Sequence, residues 1–454
     1  MSLCLSVSRF LGCSKFHGPH IADEMHHSFK QREYSMISRR SFLKVGGLSV
    51  SSFGFVNGLL AQSALAQDSK LQNMVAGVKP LTPEDYEARL EKARKLMAEN
   101  KIDALFVSGG SDLGYFTNVN WFISERTFGG IINRKGKTIW VWPSFEAASA
   151  REMIPKDQEL RPWEEHENPF KLIGGVMKDF GVPSGRLAIA PATRSFIVFG
   201  LKKSVPGLEL VNGAVITEGC RGVKNEKELA YMDLANKITK LAYKEGFKQL
   251  KEGMTPRDLS GAISAAHQQM GVRGSGGPQF GPSTAFPHGS RVPRTLQNGD
   301  VVMVDGGCSV EGFQSDVTRS IVFGTPTDKQ KVVWDIVKKA QTAALKAARP
   351  GVACEDIDRA ARKVIEDAGY GPGYKYFSHR LGHGIGMDGH EYPYLVKDNK
   401  LKLKPGMTFS DEPGIYIYGE FGIRHEDCFV VTEDGARYLG GMEAVAIDKP
   451  FGDE

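Results

Sequence analysis

Two strand-turn-strand segments, each carrying a pair of acidic residues, constrain the fold of this chain more than any other feature. The first runs from a buried-strand pattern at 301–305, through a glycine pair, into a returning strand expected over 314–322. Asp305 and Asp316 lie eleven residues apart and nearly symmetric about this turn. Their carboxylates are therefore expected opposite each other on one face of a hairpin. Because two such carboxylates repel each other, the pair predicts a cation between them.

The second segment repeats this arrangement further along the chain. Residues 407–412 form one strand and 423–432 the returning one, which places Glu412 and Glu426 across a turn. The four acids are predicted to line one cleft, joined by His383 from a glycine-rich segment. Four carboxylates and one neutral histidine carry a formal charge of −4, which two divalent cations would balance. Carboxylate-dominated sites favour hard or borderline ions, so manganese is the expected metal, with cobalt or zinc as alternatives.

The order of the predicted elements indicates two domains that follow a leader. A helix at 83–100 and a buried strand at 102–107 begin an α/β amino-terminal domain, expected over 80–215. An α+β domain is expected over 220–450, because a helix pair followed by strand-rich sequence recurs 98 residues later. Its two halves are predicted to be pseudo-symmetric, with the site between them. The other predicted strands lie at 130–132, 138–142, 186–190 and 208–211, and the other predicted helices at 170–180, 226–251 and 328–348, with two more ending near Met270 and Ala368.

Composition and charge indicate a globular enzyme rather than a nucleic-acid-binding protein. The chain has 454 residues, 41% of them hydrophobic, and a formal net charge of +5. Most of that excess charge lies in the first 66 residues, which hold seven Lys/Arg and three Asp/Glu. Beyond the leader, four cysteines are scattered without any CxxC spacing, so we expect them to be small buried side chains: Cys220, Cys308, Cys354 and Cys428.

The leader, residues 1–66, resembles a twin-arginine signal peptide. Arg39 and Arg40 precede a charge-free stretch at 45–66 that ends in the small-residue pattern Ala64-Leu65-Ala66. A transmembrane anchor is the alternative, but the glycine, serine and asparagine content of this stretch favours cleavage. The mature chain is then expected to begin near Gln67, to be exported to the periplasm and to have no stable membrane insertion. Residues 1–35 fit no part of a signal, so Met36 is the expected start.

The order Asp, Asp, His, Glu, Glu, with its flanking motifs, resembles metallopeptidase family M24. The relatives are methionine aminopeptidase, prolidase and aminopeptidase P, whose catalytic domain has the pita-bread fold, and the similarity covers roughly residues 85–450. The motifs that carry it are Asp305-Gly306-Gly307, Ser315-Asp316-Val317-Thr318-Arg319, His383-Gly384-Ile385-Gly386, His390-Glu391, Glu412-Pro413-Gly414-Ile415-Tyr416 and Arg424-His425-Glu426-Asp427. The resemblance implies an Xaa-Pro peptidase that uses two metals, acts on proline-containing peptides and forms a homodimer.

The resemblance also implies a role for each site residue. Asp316 and Glu426 would bridge the two ions, Asp305 would complete one of them, and His383 and Glu412 would complete the other. Glu412 would in addition carry the proton from the attacking water to the leaving nitrogen.

Four further residues match recurring positions of the family. His390 would steady the tetrahedral intermediate, and His288 would lie at the substrate mouth. His379 and Arg424 would support the site, and Arg424 is suited to hold a carboxylate.

The sequence leaves several functions open. Aminopeptidase and dipeptidase activities are poorly separated, because prolidases often place an arginine after the His-Glu pair, where this chain has Tyr392-Pro393-Tyr394. The alternatives for that arginine are Arg380, Arg291 and Arg294. A creatinase-like enzyme, a lyase and a non-catalytic binding module share the fold, and the presence of all five metal ligands argues against the creatinase-like enzyme and the binding module. Residues 384–389 match a GxGxxG pattern, but no helix follows, which excludes a dinucleotide site.

Overall fold

The computed structural model describes residues 71–453, so the predicted leader, with Arg39 and Arg40, lies outside the described residues. None of the helices in residues 71–453 combines the length and the apolar character needed to cross a membrane. The four cysteines in this range are all buried and free, as expected from their scattered positions.

Residues 83–221 form an α/β layer around one mixed six-stranded sheet, here called the amino-terminal layer. The elements are α1 (Pro83–Glu99), β1 (Ala104–Val107), α2 (Ser111–Thr117), β2 (Gly129–Asn133), β3 (Thr138–Pro143), α3 (Ala147–Arg151), β4 (Glu159–Trp163), α4 (Pro169–Asp179), β5 (Arg186–Ile189), α5 (Ser195–Ser204), β6 (Glu209–Asn212) and α6 (Ala214–Arg221). The strand order is β4-β3-β2-β1-β5-β6, with β2 antiparallel to both its neighbours and the other three pairs parallel.

Both faces of this sheet are covered, which explains the unbroken apolar runs of its central strands. In β1, Leu105 and Val107 enter a core with Trp140 and Trp142, while Phe106 enters a second core on the opposite face. The alternation follows from the two-residue period of a strand.

The remaining residues form two halves, each a helix pair packed on antiparallel strands. The first half contains α7 (Glu226–Phe247), α8 (Pro256–Gln269), β7 (Gly277–Phe280), β8 (Val301–Gly306), β9 (Ser309–Val310), β10 (Phe313–Gln314) and β11 (Val317–Val322). The second half contains α9 (Asp328–Ala347), α10 (Cys354–Asp367), β12 (Gly382–Gly384), β13 (Glu391–Leu395), β14 (Thr408–Asp411), β15 (Gly414–Ile417), β16 (Phe421–Arg424), β17 (Asp427–Val431) and β18 (Ala436–Tyr438). The predicted fold class, an α/β amino-terminal part plus an α+β pita-bread part, is confirmed.

The internal repeat is closest in the second helix of each pair. Helices α8 and α10 are both 14 residues long, and their first residues, Pro256 and Cys354, are 98 positions apart. Capping boxes begin α7 at Asn225, α8 at Thr255 and α9 at Thr327. Each box satisfies backbone amides that would otherwise lack a partner at the start of a helix.

The expected register of the first acidic hairpin was wrong. Asp305 pairs with Thr318 rather than facing Asp316, because β11 begins at Val317 and not near Gln314. The small hairpin formed by β9 and β10 interrupts the ladder between β8 and β11. Asp316 therefore lies in the break between β10 and β11.

The second acidic hairpin has the same construction. Strand β14 pairs with β17, and Asp411 faces Asp427, while β15 and β16 form a separate two-stranded extension. Glu412 and Glu426 lie in the gaps that separate the two ladders. An acid in such a gap is free of the strand alternation that a continuous ladder would impose.

Candidate metal centre

All nine site residues proposed from the sequence line one cavity of about 470 Å³ between the two halves. The cavity is lined by His288, Asp305, Asp316, His379, His383, His390, Glu412, Arg424 and Glu426, together with Pro287 and Arg380. Every member of this set lines the cavity, although the residues come from segments more than a hundred positions apart in the sequence.

The five expected metal ligands lie close enough together to share ions. Ligand atoms of Asp305, Asp316 and Glu426 lie within 4.8 Å of one another, and so do those of His383, Glu412 and Glu426. These two groups share Glu426, as a site for two adjacent ions would require. A third group combines Asp316 and His383 with His390, so His390 is also within reach of an ion.

The carboxylates of the cavity carry more negative charge than the protein around them balances. Burial and the neighbouring Asp305 and Glu412 carboxylates raise the pKa of Asp316 well above its usual value. Burial and the same group of acids, led by Asp316, raise the pKa of Glu426 in the same way. Burial opposes ionisation of Glu412 as well, but its hydrogen bond with His383 and nearby positive charge lower its pKa to about 2. Such a donor set fits divalent cations, which would supply the missing positive charge.

The imidazole of His383 is oriented as a metal ligand. Its Nδ1 lies 3.1 Å from the Gly384 carbonyl, to which it can donate, so Nε2 is the nitrogen left to bind an ion. Nε2 points into the acidic cluster, 3.2 Å from Glu412 Oε1 and 3.8 Å from Asp316 Oδ2. Strand β12, which carries His383, lies very close to β14. A Cβ at Gly382 would be 2.0 Å from the Ser410 carbonyl oxygen, so only glycine fits there.

Two hydroxyl groups that the sequence analysis did not single out hold ligand carboxylates. The Thr318 hydroxyl donates to Glu426 Oε2 at 2.7 Å, and the Ser410 hydroxyl donates to Glu412 Oε1 at 3.1 Å. The Ser410 oxygen also accepts the backbone amide of His383 at 3.0 Å. A strand period could not have identified either contact, because Glu412 and Glu426 lie in the gaps between ladders and Thr318 holds an acid 108 positions away.

Arg424 and His379 support the cavity wall through one tyrosine. Arg424 Nη2 donates to Asp305 Oδ2 at 2.8 Å, which is the carboxylate contact expected for this arginine. Its Nη1 donates to the Tyr416 hydroxyl at 3.0 Å, and that hydroxyl lies 2.8 Å from His379 Nε2. Since His379 Nδ1 faces the Arg380 carbonyl at 2.8 Å, the Tyr416 hydroxyl donates to His379. Tyr416 was another residue that the sequence analysis left without a role.

His390 and Arg380 lie together in the wall of the cavity. The His390 ring stacks on the His383 ring, with centroids 3.6 Å apart. Arg380 Nη2 lies 3.3 Å from His390 Nδ1, and its guanidinium group lies over the Tyr394 ring at 4.3 Å. Donation from Arg380 to Nδ1 leaves the proton of a neutral His390 on Nε2.

His288 is exposed at the other end of the cavity, where a neighbouring groove of about 700 Å³ begins. The groove shares His288 and Asp305 with the metal cavity and contains Arg291 and Arg294. Arg294 is paired with Asp300 at 2.6 Å, while Arg291 is exposed.

A buried charge cluster lies directly behind Glu426. Asp427 is fully buried and accepts from Arg319 at 2.8 Å and from Lys240 at 2.7 Å. Lys240 and Arg319 also donate to backbone carbonyls between Leu439 and Pro450. These bonds fix the strand position that follows Glu426, and a lone buried lysine in α7 gave no sequence signal for them.

Comparisons with known proteins agree with the geometry. Two family models match: Metallopeptidase family M24 over residues 230–433, and Creatinase/Prolidase N-terminal domain over residues 89–223. An Xaa-Pro dipeptidase from Lactobacillus helveticus is 33% identical over 352 residues, which cover 76% of this chain and 95% of that protein. The structure of a recombinant prolidase from Thermococcus sibiricus matches with a TM-score of 0.72 at 30% identity, covering 78% and 96%. That of an X-Pro aminopeptidase from Thermotoga maritima matches with a TM-score of 0.68 at 27% identity, covering 77% and 96%.

Proposed function

The chain belongs to metallopeptidase family M24, and on that premise we propose that it is a two-metal dipeptidase that cleaves Xaa-Pro. It is a hydrolase of the metallo-exopeptidase type. Its similarity to an Xaa-Pro dipeptidase and to a prolidase supports proline as the residue after the cleaved bond. The five clustered ligands support a catalytic role over a non-catalytic binding module and over a creatinase-like enzyme that works without metal.

The acidic cluster would hold two divalent ions, with manganese as the proposed metal and cobalt or zinc as alternatives. Asp316 and Glu426 would be shared between the ions, Asp305 would complete one site, and His383 and Glu412 the other. Ions bound there would lower the pKa of a water molecule and polarise the scissile carbonyl.

Three side chains of the cavity would do the remaining chemistry. The Glu412 carboxylate accepts the proton of the attacking water and passes it to the leaving proline nitrogen. His390, with its proton on Nε2, donates to the substrate oxygen as negative charge develops there. His288, at the boundary with the neighbouring groove, contacts the substrate at the mouth.

The observation that supports a dipeptidase over an aminopeptidase is the free guanidinium of Arg380. Within residues 71–453, no carboxylate forms an ion pair with it, whereas Arg424, the other cation of the cavity, is bound to Asp305. Arg380 is half-buried and oriented by Tyr394. Tyr394 lies in the segment after His390-Glu391 where prolidases often have an arginine, so Arg380 can take that place. A guanidinium group binds a carboxylate through two parallel hydrogen bonds, which suits the free carboxyl end of a dipeptide.

The test compares Ala-Pro with Ala-Pro-amide and with Ala-Pro-Ala, using wild-type enzyme and Arg380→Met. Wild type is expected to prefer Ala-Pro. Because a hydrogen bond to a charged group contributes about 1.5–3 kcal/mol, Arg380→Met should lower kcat/KM for Ala-Pro by roughly 10- to 150-fold. The amide, which lacks the carboxylate, should lose little.

The control variant is Arg359→Met, which removes an exposed arginine that pairs with Asp356 on α10. Equal losses on Ala-Pro and its amide would mean that Arg380 acts through His390 instead. A wild-type preference for Ala-Pro-Ala, unaffected by Arg380→Met, would support the aminopeptidase alternative. If Arg291→Met abolishes the preference for Ala-Pro, the carboxylate binds in the neighbouring groove.

The proposal also includes a homodimer and export to the periplasm. Light scattering of the purified protein measures the first, and cell fractionation the second.

A further inference from the structure

The segment from Gly386 to Glu391, here called the His390 loop, connects the metal cavity to the amino-terminal layer. It joins β12 to β13, and His390 lines the metal cavity on one side. On the other side His390 lines a second, smaller cavity of about 140 Å³, together with Asp112 and Arg221 of the amino-terminal layer. The loop therefore lies between the layer and the catalytic centre.

Arg221, the last residue of α6, holds the loop at two points. Its Nη2 donates to Asp388 Oδ2 at 2.6 Å and to Glu391 Oε2 at 2.5 Å. Its Nη1 donates to Asp112 Oδ1 at 2.8 Å, at the start of α2. Asp388 and Glu391 lie two residues before and one residue after His390. The side chains of Arg221, Asp112 and Glu391 are nearly buried, so each charge depends on these partners.

Two neighbouring residues complete this set of contacts. The Ser111 hydroxyl, next to Asp112, hydrogen-bonds the Asp388 carboxylate. Lys224, which follows α6, donates to the second oxygen of Glu391 at 2.6 Å. Both oxygens of each loop carboxylate are thus bound by residues outside the loop, from Ser111, Arg221 and Lys224.

Apolar packing holds the same loop at its beginning. Met387 packs against the core of the first half and against a core of the amino-terminal layer. A Cβ at Gly386 would lie 2.5 Å from Glu391 Oε1 and 2.9 Å from Lys224 Cε, so the loop closes tightly on its own anchor. The imidazole of His390 has much weaker direct support, namely the 3.3 Å contact with Arg380 and the stacking on His383.

We propose that Arg221 is a positioning residue through which the amino-terminal layer fixes His390 over the metal centre. The inference rests on the proposed role of His390, but the location of the loop can be tested without any activity. On this proposal the amino-terminal layer is part of the catalytic apparatus, since it sets the place of a side chain that contacts the substrate.

The first test measures hydrogen exchange by mass spectrometry on the full-length, metal-free protein. In Arg221→Met, peptides that cover residues 385–395 are expected to exchange several-fold faster than in wild type, because local opening becomes easier when anchors are lost. The control is Arg186→Met, which removes a β5 arginine that pairs with Glu209 at the start of β6. Unchanged exchange in the loop of Arg221→Met overturns the proposal, whatever the enzyme does.

The second test is a double-mutant cycle with His390→Ala. Arg221→Met alone is expected to lower kcat by about 10- to 100-fold, the range for residues that orient a functional group, with KM and bound metal nearly unchanged. In the His390→Ala background the same substitution should lower kcat no further, because its effect passes through His390. Arg221→Lys, which keeps one charged donor, should restore part of kcat.

The outcomes separate this inference from the proposed function. Faster loop exchange in a protein without Xaa-Pro activity supports the positioning role and contradicts the function. Fully additive losses in the cycle overturn the coupling to His390, even if loop exchange rises. Should Arg221→Met fail to fold, Ser111→Ala replaces it, since this variant removes one contact to Asp388 and no charge. It is expected to show a smaller change with the same pattern, and independent losses there overturn the proposal.

Discussion

Thr318 and Glu426 are joined by three hydrogen bonds across the boundary between the two halves. The amide of Thr318 donates to the Glu426 carbonyl at 3.3 Å, and the amide of Glu426 returns the bond at 3.1 Å. The Thr318 hydroxyl then holds Glu426 Oε2 at 2.7 Å. The two residues lie 108 positions apart in the sequence, so this pair connects the halves at the point where the proposed metal ligands meet.

Thr318→Val is expected to weaken metal binding while preserving the shape of the side chain. The variant loses the bond to Glu426 and also the acceptor for Arg424 Nε at 3.1 Å. Removing such an outer support typically lowers metal affinity by about 10- to 100-fold. Competition with a chelator measures the affinity. Thr342→Val is the control, because the Thr342 hydroxyl donates to the Lys338 carbonyl of its own helix. Equal affinity in Thr318→Val and the control would contradict the role given to Thr318.

Asp316→Asn is expected to lower the metal content from about two divalent ions per chain and to nearly abolish hydrolysis. The reason is that Asp316 belongs to two of the three ligand groups and lies among carboxylates whose charge needs compensation. Elemental analysis of the purified protein gives the stoichiometry and the identity of the metal. Asp328→Asn, at a fully exposed position, should leave both unchanged. A fully loaded and active Asp316→Asn enzyme would disprove the ligand assignment.

His267 is expected to make the protein less stable as the pH falls. Burial lowers the pKa of this histidine, which lies in α8 without contact to the metal ligands. In the unfolded chain the imidazole takes up a proton below about pH 6.5, while in the folded protein it stays neutral to a lower pH. The free energy of unfolding therefore falls from about pH 6.5 downward, by at most about 1.4 kcal/mol per pH unit.

His267→Phe should remove that part of the pH dependence. Urea unfolding gives the free energy of unfolding of both proteins at pH 7 and at pH 5. The change between the two pH values, compared in wild type and variant, gives the contribution of the histidine. The variant has its own stability at pH 7, so only the change between the two pH values is compared. An equal change in the free energy of unfolding for wild type and variant would show that His267 titrates alike in the folded and unfolded states.

The twin-arginine interpretation of the leader gives a prediction about export. Replacing Arg39 and Arg40 by lysine should leave the protein in the cytoplasm, because the arginine pair is the feature that the export receptor reads. Fractionation of expressing cells, with Lys44→Arg as the matched substitution, measures the distribution. Unchanged periplasmic protein would contradict the twin-arginine interpretation.

The sequence predicted the positions of most long elements because their periodicity and caps are local signals. The helix predicted at 170–180 is observed at Pro169–Asp179, and the strand predicted at 138–142 at Thr138–Pro143. Helices α2, α3, α5 and α6 were missed, because short helices carry too few residues for a periodic pattern.

The location of the site was predictable, and its geometry was not. The motifs identified nine residues that all line one cavity, although their individual roles stay predictions. The register of the acids depends on small hairpins inserted between the ladders. Strands of two residues, such as β9 and β10, are too short to show a pattern in the sequence. The contact of Arg221 with Glu391 joins residues 170 positions apart, so only the folded chain shows it.

The division of the ligands between the halves has a consequence for biosynthesis. A chain translated only as far as residue 411 contains Asp305, Asp316 and His383 but neither glutamate of the cluster. On the proposed ligand assignment, such a nascent chain would lack the carboxylate of Glu426 that both ions would share, so it could not bind a pair of ions. Metal uptake would then follow the pairing of Thr318 with Glu426, and a protein that carries both ions would be one whose halves have already been assembled.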